Sequence, residues 1–318
     1  MKINLFTSDG RKWFENIIPS YPDIEFHEND FDESKEWDVV AVYEDLVHEV
    51  KVKTKNIVLI SGEPPLAYYT PKKYLKQFDA VITGNSMIHH PNVIHWQQSL
   101  PTHIGRSWSQ KKNLLDYNDL LNLKKPEDLK VISLMASNYN KLPGHRKRIK
   151  MVDSVIKAKL PVDIFGKGRK FVDDKKDAIL PYMFHICIEN AAIDDYWTEK
   201  IADSIICNTV PIYYGCKNIE KYFDPRCMFI VHDEQELIDT IRKVIDDPIN
   251  IYREKKQYLQ KERKKIFSIY NIVRTLEMAD KFNETTRLVL LKPKNRFHLY
   301  KIRCKILNFY LRLIKLLR

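Results

Sequence analysis

The feature that most constrains the fold is a repeated alternation between short, β-branched apolar runs and longer helical patterns. In the first part of the chain the apolar runs are INLFT, VVAVYED, NIVLIS and AVITG, each bounded by turn-forming residues. Runs this short and this apolar are typical of strands buried on both faces of a parallel sheet. The helical pattern PKKYLKQF separates two of them. Strands that alternate with helices predict βαβ units with right-handed crossovers.

The same alternation resumes after residue 130. The strand-like runs are VISLMAS, PVDIFG, YMFHICIEN, VPIYYG and MFIVH, and the helical patterns are HRKRIKMVDSVIKA, TEKIADSIIC and EQELIDTIRKVIDD. Between the two halves, residues 105–128 are polar and rich in Lys, Asn and Asp, which favours an interdomain connection. We therefore predict an α/β protein with two doubly wound, Rossmann-like domains that face each other across a cleft. The predicted boundaries are 1–125, 126–270 and a helical C-terminal segment at 271–318.

Several classes of protein are disfavoured by the composition. Glycine is scarce, with 8 residues, and neither GxGxxG nor GxxxxGK[ST] occurs, which argues against a Rossmann dehydrogenase or a P-loop nucleoside triphosphatase. The five cysteines form no CxxC pair and no cluster with zinc spacing, so we expect buried, reduced thiols and no metal. No signal peptide or run of 18 apolar residues is found, so we expect a cytoplasmic protein.

The positive charge is concentrated at the C-terminus. Of the net charge of +11, nine charges belong to residues 292–318, which contain no acidic residue. The rest of the chain is nearly neutral, so we expect no nucleic-acid partner. In the tail, the apolar residues that fall near one helical face are Leu299, Ile302, Ile306, Phe309, Leu313 and Leu317. This pattern predicts a basic amphipathic helix that binds the membrane surface through residues 296–318, although a helix packed on its own domain or on a partner has the same pattern.

The stretch ENAAIDDYWTEK, residues 189–200, places charge between two apolar runs. Glu189 and Asn190 would lie at the carboxyl end of a strand, where ligands bind in open α/β sheets. Thr198 is a good N-cap for the helix that follows, and Lys200 would lie in its first turn, where the helix N-terminus and a cation suit a phosphate. The carboxylate of Glu199 suits the vicinal hydroxyls of a ribose. An ordinary capped helix start after a solvated loop explains the same residues.

The longer segment from 182 to 233 resembles the signature region of the α-1,3/4-fucosyltransferases, glycosyltransferase family ten. The positions that fit the pattern of that family are Tyr182, Phe184, Glu189, Asn190, Tyr196, Thr198, Glu199, Lys200, Asp203, Pro211, Gly215, Phe223, Asp224 and Pro225. LISGEPPLAYYTPKKYLKQFDAVITG is similar to the strand and loop of the family that carry a catalytic carboxylate. SNYNKLPGHRKRIKMVDSVIKAKLPVDIFGKG is similar to a third segment, and together the matches cover about residues 56–235.

The resemblance implies two domains of the GT-B type and transfer of fucose from GDP-fucose, with inversion and without a catalytic metal. The C-terminal domain would bind the nucleotide sugar and the N-terminal domain the acceptor. Glu63 would be the general base, and Arg148 and Lys200 would bind the diphosphate, with Arg146 as the competitor of Arg148. Glu199 would bind the ribose. The other residues expected in the donor site are Glu189, Asn190, Tyr196 and Thr198.

The chain departs from the family pattern in the middle of the stretch. Trp197 stands where a smaller residue is usual, which we expect to alter the donor pocket. Asp194 or Asp195 is a weaker candidate for a contact with sugar hydroxyls. The alternatives are therefore a different nucleotide-activated sugar, or a non-catalytic protein that binds nucleotide sugars or glycans. The expected partners are a nucleotide-sugar donor, a glycan acceptor, including one linked to lipid, and the inner face of the cytoplasmic membrane.

Overall fold

The computed structural model describes residues 1–8, 10–65, 67, 70–99, 102–138, 143–166 and 168–297, together with residues 306 and 309. The chain forms two compact units. One consists of Met1–Ser99 and Asn271–Arg318, and the other of Leu100–Tyr270.

The first unit is built on a sheet whose parallel strands follow the order β2-β1-β3-β4-β5-β6. The strands are β1 (Lys2–Thr7), β2 (Glu25–Glu28), β3 (Glu36–Tyr43), β4 (Val50–Ser61), β5 (Ala80–Thr83) and β6 (Val93–His95), and the short helix α1 (Lys72–Leu75) precedes β5. Successive residues of β3 enter different apolar clusters, Val39 and Ala41 on one face and Val40 and Val42 on the other. Because both faces are covered, the strands are continuously apolar, as predicted.

The second unit has a parallel sheet in the order β10-β9-β11-β12-β13. Its elements are β7 (Arg106–Ser107), β8 (Lys112–Asn113), α2 (Tyr117–Leu121), β9 (Lys130–Met135), α3 (Pro143–Lys157), β10 (Asp163–Phe165), α4 (Lys176–Ile179), β11 (Tyr182–Ile188), α5 (Glu199–Ile206), β12 (Val210–Tyr214), β13 (Phe229–Ile230), α6 (Glu234–Asp246) and α7 (Pro248–Ser268). All seven residues of the central strand β11 are buried. The strand therefore delivers the residues after Ile188 to the carboxyl edge of the sheet, as expected for ENAAIDDYWTEK.

The predicted connection at 105–128 is not a linker. It contains the antiparallel pair β7–β8 and helix α2, which begins with a capping box formed by Asp116 and Asp119. The guanidinium of Arg263 in α7 donates to the carbonyl of Leu120, and the ring of Tyr117 packs edge-on against Phe267. These contacts with a distant helix place the stretch inside the second unit, so the division falls after Ser99 rather than near 125.

The segment after residue 270 returns to the first unit and is not entirely helical. Helix α8 (Ile272–Glu277) is followed by strand β14 (Arg287–Leu291), which pairs antiparallel with β4. Val289 packs on the apolar core while Leu288 is 68% exposed. This alternation has the period of a strand, but five residues are too few to distinguish a strand from a helix by pattern alone.

The beginning of the basic tail is packed on the first unit. Lys294 is buried, and its ammonium group lies 3.2 Å from Glu44 Oε2. Arg296 ends a 3₁₀ turn and pairs with Glu49 at 3.1 Å. The predicted interfacial helix therefore does not begin at Arg296.

Most of the predicted tail helix, 298–318, lies outside the described residues. Its two described positions, Ile306 and Phe309, are helical and are 60% and 62% exposed. Within the described part of the chain, no helix is both long enough and apolar enough to cross a membrane.

Candidate functional site

A cavity of about 650 Å³ opens in the second unit at the carboxyl edge of its sheet. Its walls include the ends of β9 and β11, the side chain of Arg148 from α3, and Glu199 and Lys200 from the first turn of α5. The loop that follows a parallel strand is where ligands bind in this class of sheet. The sequence prediction that these three side chains share a site is consistent with this geometry.

Glu189 is a clamp on the start of α5. Its carboxylate accepts hydrogen bonds from the backbone N–H of Thr198 at 2.8 Å and from Thr198 Oγ1 at 2.7 Å, and Lys200 Nζ donates to it at 3.0 Å. Thr198 is the N-cap of the helix, as predicted. A Cβ at Gly215 would come within 2.5 Å of Glu189 Cγ, so the glycine leaves the space that the clamp needs. Glu189 is 1% exposed, and it orients Lys200 without itself belonging to the described cavity wall.

Contacts within the protein hold two cations of the site, Arg148 and Lys200, in place. Arg148 donates to Asn190 Oδ1 at 2.6 Å and to Ser137 Oγ at 3.1 Å. Burial lowers the pKa of Arg148, although the carboxylates of Glu189 and Glu199 partly offset this shift. For Lys200, burial also favours the neutral form, but the same two carboxylates outweigh it and raise its pKa. The lysine therefore stays protonated at neutral pH.

A third cation, Lys175, was missed by the sequence analysis. Its ammonium group lies 3.1 Å from Glu199 Oε1 and 3.5 Å from Asp203 Oδ2. Burial opposes the charged form of Glu199, but Lys200 and Lys175 outweigh it and hold the pKa of Glu199 well below its usual range. Glu199 is therefore an ionised carboxylate in the cavity wall. Lys175 belongs to no motif, and only its position before α4 brings it to the site.

Not all of the residues predicted for the donor site line the cavity. Its described wall includes Arg148, Glu199 and Lys200. The predicted residues that are not part of this wall are Arg146, Glu189, Asn190, Tyr196 and Thr198. Tyr196 is 3% exposed. Arg146 is half-buried and lies two residues from Arg148, which turns it about 200° away on the helix.

Trp197 and Asp195 have structural roles that differ from those expected. Trp197 is 5% exposed and packs edge-on against Tyr222, Phe223 and Tyr270, so it fills an aromatic core rather than reshaping the cavity. Asp195 has a left-handed backbone (φ 57°) and accepts a hydrogen bond from Tyr222 Oη at 2.6 Å. Its carboxylate is occupied in holding the loop, because Asn218 and Lys221 donate to it as well.

Glu63 lies in the first unit, just beyond the carboxyl end of β4. Its backbone N–H donates to Glu44 Oε1 at 2.9 Å, and Asn85 Nδ2 donates to its carbonyl at 3.3 Å. The backbone is thus anchored on both sides of a half-buried side chain. Such an anchored position limits the directions in which the carboxylate can point.

The described cysteines and acidic residues form no metal centre. Cys187, Cys207, Cys216 and Cys227 are free and buried. Burial raises the pKa of the Cys216 and Cys227 thiols to about 12. No group of three or more His, Cys, Asp or Glu residues is arranged to hold a metal ion within the described ranges.

A family of known proteins matches the region that contains most of the described cavity wall. Residues 125–285, half of the 318-residue chain, match the sequence model of glycosyltransferase family 10 (fucosyltransferase), C-terminal part. The alpha-(1,3)-fucosyltransferase FucT of Helicobacter pylori is 38% identical over 74 residues, which are 22% of this chain and 16% of that protein. An alpha-(1,4)-fucosyltransferase of Arabidopsis thaliana is 31% identical over 83 residues, 25% of this chain and 21% of that protein. The matches therefore span about a fifth or less of these relatives.

The fold extends the likeness to most of the chain. A crystal structure of an alpha1,3-fucosyltransferase with GDP-fucose superposes with a TM-score of 0.50 at 21% identity, covering 89% of this chain and 91% of that one. This similarity supports the two α/β units of the GT-B type. The family match over half of the sequence shows that the chain belongs to glycosyltransferase family 10, the fucosyltransferase family.

Proposed function

We propose that this protein is an inverting fucosyltransferase that transfers fucose from GDP-fucose to a hydroxyl group of a glycan, without a catalytic metal. The observation that carries the proposal is the cavity wall of the second unit, where Arg148, Lys200 and Glu199 meet at the carboxyl edge of a parallel sheet. Two cations beside a carboxylate match the chemistry of a nucleoside diphosphate, which presents anionic phosphates next to ribose hydroxyls. Family membership supports GDP-fucose as the donor.

The two cations provide the leaving-group assistance that this reaction needs. As the bond between the anomeric carbon and the β-phosphate oxygen breaks, its electron pair passes to the nucleoside diphosphate. Arg148 is held by Asn190 and Lys200 by Glu189, so neither has to reorganise when this charge develops. Pre-oriented charge of this kind stabilises a transition state better than mobile charge or water.

Glu63 is the proposed general base. Its carboxylate would take the proton of the acceptor hydroxyl while that oxygen attacks the anomeric carbon on the face opposite the leaving diphosphate. One displacement of this kind inverts the configuration at the anomeric carbon. The two hydrogen bonds that anchor the Glu63 backbone support this assignment, because a general base must be held at a fixed reach from its proton.

The test combines a donor screen with a Glu63→Gln variant. We expect tighter binding of GDP than of UDP, dTDP or CMP by calorimetry, and turnover of GDP-fucose with N-acetyllactosamine-type or O-antigen acceptors. Glu63→Gln should lose about 10²- to 10⁴-fold in turnover while keeping its affinity for GDP. The exposed Glu33→Gln is the matched control in the same unit and should keep full activity.

Three results would contradict the proposal in different ways. Selective binding of UDP would exclude GDP-fucose as the donor. Wild-type turnover by Glu63→Gln would exclude Glu63 as the general base. Tight binding of GDP with no turnover on any acceptor would favour a non-catalytic nucleotide-sugar-binding protein.

We also propose that the basic C-terminal segment brings the enzyme to the inner face of the cytoplasmic membrane, where a lipid-linked acceptor would be presented. The support is the charge of the tail and the exposure of Ile306 and Phe309. Deletion of residues 298–318 should abolish sedimentation with vesicles that contain phosphatidylglycerol and leave turnover of a soluble acceptor intact. A truncated protein that still sediments would disprove the anchor.

A further inference from the structure

Lys175 is a charged residue of the described cavity wall to which the proposed function gives no role. Its side chain is only 15% exposed, and it lies between two carboxylates, Glu199 at 3.1 Å and Asp203 at 3.5 Å. Taking a lysine out of water is unfavourable unless the charge is paired. The two carboxylates provide that pairing.

Asp203 supplies the fixed end of this arrangement. It is completely buried, and its Oδ1 accepts hydrogen bonds from Thr102 Oγ1 at 2.6 Å and from the backbone N–H of His103 at 2.9 Å. Its Oδ2 has no hydrogen-bond partner among the described residues. That oxygen faces Lys175, so a rigid carboxylate sets the position of the ammonium group.

The closest contacts of Glu199 with its charged neighbours fall on one of its two oxygens. Lys175, Lys200 and the His103 ring all approach Oε1, at 3.1, 3.7 and 3.7 Å. Lys175 makes the shortest of these contacts and is a hydrogen-bond donor. No hydrogen bond to Oε2 is made within the described part of the chain, and Glu199 lines the cavity. One oxygen is therefore held while the other remains able to accept from a ligand.

We infer that Lys175 is a positioning residue for the donor: it holds Glu199 through Oε1 so that Oε2 accepts hydrogen bonds from the ribose hydroxyls of the nucleotide. This inference rests on the proposed function, because it requires a nucleoside diphosphate in the cavity. Lys175 itself makes no contact with the donor in this arrangement. Its effect is therefore specific to ligands that have ribose hydroxyls.

The experiment compares GDP with 2′,3′-dideoxy-GDP by calorimetry on the full chain. The wild-type protein should prefer GDP by about tenfold or more, since hydrogen bonds to a charged acceptor are among the stronger ones. Lys175→Met should reduce that preference to about twofold or less, because Glu199 is no longer held. Lys175→Arg should retain most of it, since a guanidinium also reaches both carboxylates.

Two further variants separate positioning from folding. Lys175→Met leaves the buried Asp203 without its counter-charge, so the double variant Lys175→Met/Asp203→Asn removes both charges and should recover stability while the ribose preference stays lost. Lys265→Met is the matched control in the same unit. Lys265 is 27% exposed and pairs at 2.7 Å with the fully buried Glu262, away from the cavity wall, and its loss should leave the preference unchanged.

The outcomes distinguish the inference from the proposed function. Equal weakening of GDP and dideoxy-GDP by Lys175→Met, with the preference kept, would overturn the inference and indicate a direct phosphate contact. Recovery of the preference in the double variant would overturn it as well, because Lys175 would then only neutralise Asp203. A wild-type protein that binds GDP without any preference over dideoxy-GDP overturns the inference alone, whereas failure to bind GDP overturns the proposed function and this inference with it.

Discussion

The ammonium group of Lys200 lies 3.0 Å from the carboxylate of Glu189, a side chain that water does not reach. Both residues fit the sequence signature of the family, but they lie differently relative to the cavity. Lys200 lines the cavity, whereas Glu189 holds Lys200 and the N-cap Thr198 from the protein side. Glu189, a residue that fits the family pattern, thus supports the described cavity wall without lining it.

This relationship predicts that Glu189→Gln lowers the stability of the protein more than its affinity for GDP. The amide keeps the shape of the side chain but leaves Lys200 without its buried counter-charge, and breaking such a pair costs about 3 kcal/mol. We expect the free energy of unfolding in urea to fall by about that amount. The dissociation constant for GDP should rise less than in Lys200→Met, which removes the proposed phosphate contact. An unchanged urea midpoint for Glu189→Gln would show that the clamp is not a stabilising element.

Arg148 gives a second prediction, for which Arg146 on the same helix is the control. Arg148 lines the cavity and is held by Asn190 and Ser137, whereas Arg146 points about 200° away on α3. Arg148→Ala should weaken GDP binding by about 10- to 100-fold, because a charged donor to the diphosphate is lost. Arg146→Ala should change it by less than about threefold, since Arg146 is not part of the described cavity wall. Calorimetry on both variants decides which arginine meets the diphosphate, and equal losses would contradict the assignment.

The parts of the fold that the sequence predicted are those encoded by local patterns. β11 and the N-cap Thr198 follow from an apolar run and a capping residue, each readable within about ten positions. The position of the 105–128 stretch depends instead on Arg263 and Phe267, residues of a helix far along the chain. No local pattern carries that information, so the boundary between the units was misplaced.

The same reasoning explains what was missed in the site. Arg148 was found through a family pattern, and Glu199 and Lys200 through their place at a helix start. Lys175 has no motif, and it becomes a partner of Glu199 only because α4 and α5 lie side by side against the sheet. Trp197 looked like a ligand contact because its size departs from the pattern, but that size fills a space among Tyr222 and other rings.

The aromatic packing of Trp197 predicts a structural effect of its loss. Trp197→Ala would open a cavity among rings whose centroids lie 4.9–5.8 Å from the indole, at a cost of about 3–5 kcal/mol. Trp197→Phe should be milder because it keeps most of the apolar contact. Neither variant should change the order in which the protein binds GDP, UDP, dTDP and CMP at a temperature where it is folded. A changed nucleotide preference in Trp197→Phe would instead show that Trp197 helps to determine which donor the protein binds.

His145 predicts a pH dependence of stability on the acid side. Burial, together with the positive charges of Arg148 and Lys200, lowers the pKa of His145 to about 4 in the folded protein, whereas an unfolded histidine titrates near 6.5. Between these two values the unfolded chain binds the proton and the folded chain does not, so protonation favours unfolding. The stabilising contribution is therefore complete above about pH 6.5 and is lost as the pH falls towards 4.

The variant His145→Gln isolates this contribution from the other titrating groups. The difference in the free energy of unfolding between wild type and variant should be constant above pH 6.5 and should shrink by up to about 3 kcal/mol as the pH falls to 4. Urea unfolding at intervals of half a pH unit measures it. If the two stability curves run parallel between pH 6.5 and 4, the ring of His145 titrates normally and the two cations of the site do not act on it. A difference that shrinks as expected would establish that burial, together with the positive charges of Arg148 and Lys200, already lowers the pKa of His145 in the protein without a donor.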